Sequence, residues 1–382
     1  EFRQANLAPL PNNVPPAQRM VSTGAGTVTA GVTSVVANLA DFNGVCPRNA
    51  PVRRYAISAV AASVAVGANG ITWNDRQGNY GGQRGPLVDP TGAFFVRDAD
   101  LSAGRLIAGR PVEPLVLRAA AGECVEVTLT NRLPATWAAS VANTTNHNFV
   151  ALPFLVDRFN MNQLRPSAEV GLHAQLVTAD LSRSDGANVG LNASVRNGVR
   201  TTSQTAASGQ QVTYRWYAGL LREVPSGTAG QVRLEAVPVE FGAVNLMPAD
   251  RLRHPGKGLV GALVVLPEGS QWVEDSTTRT QATVVTPSGR TFRDFVLVNH
   301  DDAGLRASGR PVCPAGAGEG EAHGGEPVSI ATTGCKGLDD SQDAGLYGFN
   351  FRSEPLWFRL GHPPGEAFEL TRELDYARAL SN

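Results

Sequence analysis

Lysine is almost missing from this chain. Lys257 and Lys336 are its two copies, so nearly all of the positive charge is arginine. Arginine can grip phosphate or carboxylate, but a bias spread over the whole chain reads as genomic composition rather than a binding patch. Charged residues make up 18% and the formal net charge is −1, which leaves no electrostatic footprint for nucleic acid or an anionic membrane surface. No apolar run reaches the roughly 18 residues that a membrane-spanning helix needs; residues 55–68, interrupted by Ser58 and Ser63, read as an Ala/Val strand. The four cysteines contain no Cys-x-x-Cys pair, which argues against a zinc or redox motif. No Gly-x-Ser-x-Gly elbow occurs, and the glycine-rich residues 78–85 lack the Gly-Lys-Ser/Thr ending of a phosphate loop. There is also no initiator Met and no basic-plus-apolar leader, so Glu1 reads as a processed start.

What is abundant points to β structure. Gly 41 and Pro 25 in 382 residues favour many short strands joined by turns, and the length suffices for two or three domains. The clearest pattern lies at residues 115–134. Two alternating runs, 115–118 and 124–130, flank a small-residue turn at Ala121-Gly122, which predicts two strands joined by a tight connection; Asn131 and Pro134 stop the second. Further strands are expected at 51–60, 93–96, 170–177 and 211–218, and a near-continuous apolar strand at 259–266 ends at Pro267. Their period of two, with no long helix between them, predicts an all-β protein of Greek-key sandwich or barrel domains.

The expected organisation is an N-terminal arm over residues 1–49, a first domain over 50–270, and a second over 271–382 that opens with a polar linker, 271–280. A dense apolar strand at 356–360 (Leu356, Trp357, Phe358, Leu360) is followed by a polar tail alone. The second domain therefore looks incomplete, and a continuing polypeptide or partner subunit is expected to complete it. An even number of cysteines in a Gly/Pro-rich β chain suits an exported, oxidised protein, secreted, periplasmic or at the cell surface. The favoured disulfides join Cys46 to Cys124 and Cys313 to Cys335, with other connectivities open.

Four stretches taken in order carry a family resemblance: the strand pair at 115–134, Gly-Leu-His-Ala-Gln-Leu-Val at 171–177 with Ser-Asp-Gly-Ala-Asn-Val-Gly at 184–190, Arg-His-Pro-Gly-Lys-Gly-Leu-Val-Gly-Ala-Leu-Val-Val at 253–265, and Phe-Asn-Phe-Arg-Ser-Glu-Pro-Leu-Trp-Phe-Arg-Leu at 349–360. Together they resemble the large multicopper oxidases of bacterial manganese oxidisers. The resemblance implies cupredoxin-like Greek-key domains, export, and one-electron oxidation of a metal ion such as Mn(II), or of a small reductant, coupled to O2 reduction. It also implies copper in the complete protein.

Type 1 copper takes two His and a Cys thiolate, and the three-copper cluster of that family is held by His-x-His pairs, whose alternating positions send two imidazoles to one strand face. Six histidines are present, yet none forms His-x-His or His-Cys-His. His173 stands where the resemblance places the start of the first pair, with Gln175 at the second position; His254 precedes the 259–266 strand in a Pro-Gly turn. These two are the candidate metal residues, each with a structural alternative: a hydrogen-bonded strand histidine and a turn cap. His147, His300, His323 and His362 have no partner at ligand spacing. His300 with Asp301 and Asp302 comes nearest to a hard-cation cluster, and Asp339-Asp340 is weaker. The first functional expectation is thus the N-terminal part of an exported multicopper-oxidase-like protein with its copper ligands outside this chain. The alternative is a cupredoxin-like binding or surface-assembly module without catalysis.

Overall fold

The structure, a computed structural model, describes residues 35–76, 79–80, 83–143, 166–181, 183–186, 195–196, 199–200, 204–251, 253–300, 305–307, 310–311 and 348–353. The 356–360 strand, the Cys313/Cys335 pair, His147, His323, His362 and both Asp-Asp pairs lie outside these residues.

The principal strands in chain order are β1 (Val52–Ala61), β2 (Ile71–Asn74), β3 (Leu87–Asp89), β4 (Ala93–Arg97), β5 (Leu115–Ala120), β6 (Cys124–Asn131), β7 (Leu172–Ala174), β8 (Thr178–Ala179), β9 (Gln211–Tyr217), β10 (Gly219–Pro225), β11 (Gln231–Pro238), β12 (Gly242–Pro248), β13 (Gly261–Leu266), β14 (Gln271–Glu274), β15 (Gln281–Val285), β16 (Thr291–Phe295), β17 (Asn299–His300) and β18 (Gly348–Phe349). Two sheets make the body: a five-stranded one in the order β8-β9-β6-β1-β4 and a four-stranded one in the order β5-β13-β12-β7. Both are mixed. β6 runs parallel to β1, with Cys124 opposite Val52, and β5 runs parallel to β13, with Leu115 opposite Gly261; the remaining pairs in these sheets are antiparallel. This is an all-β sandwich of two mixed sheets, in agreement with the strand periods.

The core between the sheets follows from alternation. In β6, Val125, Val127 and Leu129 point inward to meet Leu117, Ala119, Trp216, Leu246 and Leu263, while Glu126, Thr128 and Thr130 are only half-buried. The Ala121-Gly122-Glu123 connection is tight, as its residues indicate, but it arches between the two sheets: β5 pairs with β13, and β6 with β1 and β9. Gly122 takes φ +86° there, and its N–H donates to the carbonyl of Ala218. Asn131 ends β6 by turning its amide onto the carbonyls of Ala168 and Ala206, while its own Oδ1 accepts from the Leu133 N–H.

β5 and β13 are buried along their whole length because both of their faces are covered. The second cover is the three-stranded sheet β14-β15-β16, whose Val284, with Trp272 and Phe292, packs on Val116, Ala262, Val264 and Leu266. Two expectations need correction. Residues 271–280 are not simply a polar linker: Gln271–Glu274 is a strand, with Trp272 and Glu274 facing the sandwich and Val273 facing out. Likewise the 55–68 run is not one strand, since β1 ends at Ala61 and Ala62–Ala65 form a helical turn. Alternating small apolar residues satisfy either period, and the turn lets Ala62 and Ala65 pack beside Trp73 and Phe94.

Candidate functional site

β7 presents Leu172 and Ala174 to the core and therefore sends His173 and Gln175 to the opposite face of the four-stranded sheet. Across the register His173 faces Met247. The imidazole is held at its Nδ1 by Asp185, 2.9 Å from the backbone carbonyl and 2.9 Å from carboxylate Oδ1. Gln175 accepts from the Asn245 side-chain amide at 3.1 Å. The face that two imidazoles would share in a His-x-His pair thus holds one anchored imidazole and an amide–amide hydrogen bond.

His254 lies elsewhere. It is fully buried at the start of the Pro255–Lys257 turn, with its Nε2 2.9 Å from the Ser167 carbonyl and its ring 5.9 Å from that of Trp137. Burial depresses its basicity, opposed by the charge of Asp250 and the bond to Ser167. Its contacts, with Ser167 and Trp137, are not those of His173, which is held by Asp185, so these contacts do not bring the two candidates together. His300, on β17, sits in an aromatic nest against Trp73 (centroids 5.1 Å apart) and Phe351 (4.7 Å). Neither of its ring nitrogens has a hydrogen-bond partner among the described residues. Burial alone pushes its pKa down to about 4. Among the described residues no three His, Cys, Asp or Glu side chains gather as a metal site, and a lone imidazole beside amides and a thioether does not fit the His/Cys set that blue copper takes.

Two polar clusters escape a reading by motif. In the first, Arg118 on β5 is fully buried and points under the three-stranded sheet. Glu274 receives hydrogen bonds from Arg97 (2.8 and 2.6 Å), Arg118 (3.2 Å) and Arg279 (2.7 Å). Burial opposes the ionisation of Glu274, but the bonds and charges of these three guanidiniums outweigh it and hold the carboxyl below the usual carboxylate range. Beside this network opens a polar cavity of about 430 Å³ lined by Arg53, Arg54, Tyr55, Arg97, Trp272 and Arg279. Its arginines already have carboxylate partners: Arg53 is bidentate on Glu123 and stacks on Trp272, and Arg54 reaches Glu126. The cavity is a wall of matched charges. The second cluster is the buried trio Asp89, Thr91 and Lys257. The only sequence signals for these groups were single charges inside apolar stretches, Arg118 within β5 and Lys257 just before β13.

Cys46 and Cys124 form a disulfide, which ties the residues before β1 to the start of β6. No helix of the described residues is long and apolar enough to cross a membrane.

No protein-family model matches the chain, and no curated protein matches it. Among solved structures, one described as a multicopper oxidase aligns over 57% of this chain and 43% of its own length, at 15% identity and a TM-score of 0.24. A copper nitrite reductase from Nitrosomonas europaea aligns over 57% and 42%, at 14% identity and a TM-score of 0.25. The multicopper oxidase mgLAC aligns over 56% and 39%, at 13% identity and a TM-score of 0.25. The alignments cover less than half of each of these proteins.

Proposed function

We propose that this sandwich is a copper-free scaffold within an exported, multicopper-oxidase-like polypeptide that oxidises a metal ion such as Mn(II), or a small reductant, with its copper ligands elsewhere. The observation that carries the reading is the β7 face, where Asp185 fixes His173 and Asn245 engages Gln175. The Cys46–Cys124 bond supports an oxidising compartment. The same reading seats a continuing polypeptide on the outer side of β14–β16, where Val273, Phe295 and Leu297 stand 75%, 60% and 73% exposed and the adjoining Phe349 56%.

Copper analysis tests it. Purified chain loaded with Cu(II) and dialysed is expected to keep no stoichiometric copper and to show no intense thiolate-to-copper absorption. Retained copper that is lost in His173→Ala overturns the scaffold reading. A longer polypeptide from the native source that binds copper, with His173→Ala leaving its copper content unchanged, supports it.

A further inference from the structure

Lys257 and Asp89 are each 1% exposed, 168 residues apart in sequence, and joined Nζ to Oδ2 at 3.0 Å. Lys257 enters the core from the Pro255–Lys257 turn, and the next residue, Gly258 at φ +99°, lies against Ile71, Ala93 and Phe351, so no side chain would fit there. Asp89 comes from the end of β3, opposite Ile71. Thr91 completes the group. Its N–H and its hydroxyl both donate to Asp89 Oδ1, at 2.9 and 2.8 Å, and its Oγ1 also lies 2.9 Å from Lys257 Nζ.

A charged pair in such a place is costly, since each ion loses its hydration and the mutual attraction often fails to recover the loss. Burial drives Lys257 toward the neutral amine, and the charges of Arg253 and Arg306 push the same way, against the pull of Asp89. Passage of one proton along the Nζ–Oδ2 hydrogen bond yields an uncharged amine in contact with a carboxylic acid. That is a nucleophile and an acyl donor held together in a buried site, where fixed proximity replaces a bimolecular encounter.

We propose that Lys257 and Asp89 condense to an intramolecular amide cross-link, with Lys257 Nζ bonded to Asp89 Cγ and one water released. The Nζ lone pair attacks Cγ, and the negative charge that develops on Oδ1 is met by the Thr91 N–H and hydroxyl. A second Nζ proton then passes along the same Nζ–Oδ2 contact, and collapse of the tetrahedral carbon re-forms the carbonyl at Oδ1, breaks the Cγ–Oδ2 bond and releases Oδ2 as water. The ammonium and carboxylate become one amide and one water; nothing is oxidised or reduced and no co-reactant is needed. The product replaces a buried ion pair with a neutral group and ties the end of β3 to the lead-in of β13.

Mass spectrometry of the full chain, reduced and denatured, tests this. The wild type is expected to be lighter than its sequence by one water. A tryptic digest should give a branched peptide joining the segments that contain Asp89 and Lys257, uncut after Lys257. Lys257→Met should show the sequence mass, and Thr91→Val should be mostly uncondensed. A wild type at its full sequence mass overturns the proposal, as does a water loss that persists in Lys257→Met or maps to other residues. If Lys257→Met does not fold, the branched-peptide map of the wild type decides alone.

Discussion

Arg118 lays its guanidinium side-on against Asp294, Nε to Oδ2 at 3.0 Å and Nη2 to Oδ1 at 3.2 Å, and so clamps β5 of the sandwich to β16 of the covering sheet. Arg118 is 0% exposed and Asp294 13%, and the remaining guanidinium donor is taken by Glu274 and the Arg279 carbonyl. The bond crosses the domain boundary expected at residue 271, as does the apolar cluster of Val116, Val264 and Val284. Asp294→Ala would strip a buried cation of its bidentate partner, so a loss of about 3 kcal/mol is expected, read as a lower urea midpoint. The double variant Arg118→Met/Asp294→Leu should recover most of that loss. A single Asp294→Ala variant with an unchanged midpoint would show that the clamp contributes nothing.

His300 gives stability a pH dependence of known sign. Its pKa falls from the ordinary 6.5 to about 4 in the fold, so between those values the unfolded chain binds the proton and the folded chain does not. The stabilisation is therefore complete above pH 6.5 and is lost as pH falls toward 4, amounting to about 3 kcal/mol. His254, depressed by burial as well, acts in the same direction. In His300→Phe, whose ring can rest on Trp73 and Phe351, this component should vanish. Denaturation midpoints at pH 7.5 and 4.5 check it: wild type and variant falling equally would exclude His300 as the source.

Strands whose two faces meet different surroundings announced themselves. β6 alternates because one face is core and the other half-buried, and β13 is continuously apolar because both faces are covered. The failures share a physical cause: the sequence pattern shows that a residue is polar, not what it is paired with. Gln-Trp-Val-Glu at 271–274 reads as linker because its inward Glu274 is charged, and only the three arginines that surround it make that burial tolerable. Lys257 and Asp89 likewise meet from 168 residues apart. His173 was legible as a strand position, whereas its anchor on Asp185 depends on a turn that brings residue 185 back to β7.

Removing the Cys46–Cys124 bond should be costly without changing the topology. It closes a separation of 78 residues, and both cysteines pack with Phe42, Val45, Tyr217 and Leu221. Loss of such a link costs about 2–5 kcal/mol, mainly by freeing the unfolded chain. Cys46→Ala/Cys124→Ala is expected to keep the far-ultraviolet dichroism of the wild type at neutral pH and to unfold at lower denaturant. Equal midpoints for the oxidised wild type and the variant would contradict this.

Gly122 carries the arch between the two sheets, and its φ of +86° lies where a side chain is strained. A Cβ built there would come within 3.2 Å of Pro238 Cγ, a contact that a small ring movement can relieve, so the backbone conformation rather than the clash sets the cost. Gly122→Val should then lose about 1–3 kcal/mol. Gly122→Asn should lose less, because asparagine tolerates the left-handed region better than a β-branched residue does. Gly104, at φ +77° with open space around its Cβ position, provides the comparison: its alanine variant feels the same conformational strain but loosens only the exposed turn between Leu101–Ser102 and Arg105–Leu106. Urea titration of the set should rank Gly122→Val below Gly122→Asn in stability, with both below the wild type. Equal midpoints for Val and Asn would place the cost in the contact with Pro238 instead, and an unchanged Gly122→Val would mean that the arch does not require glycine.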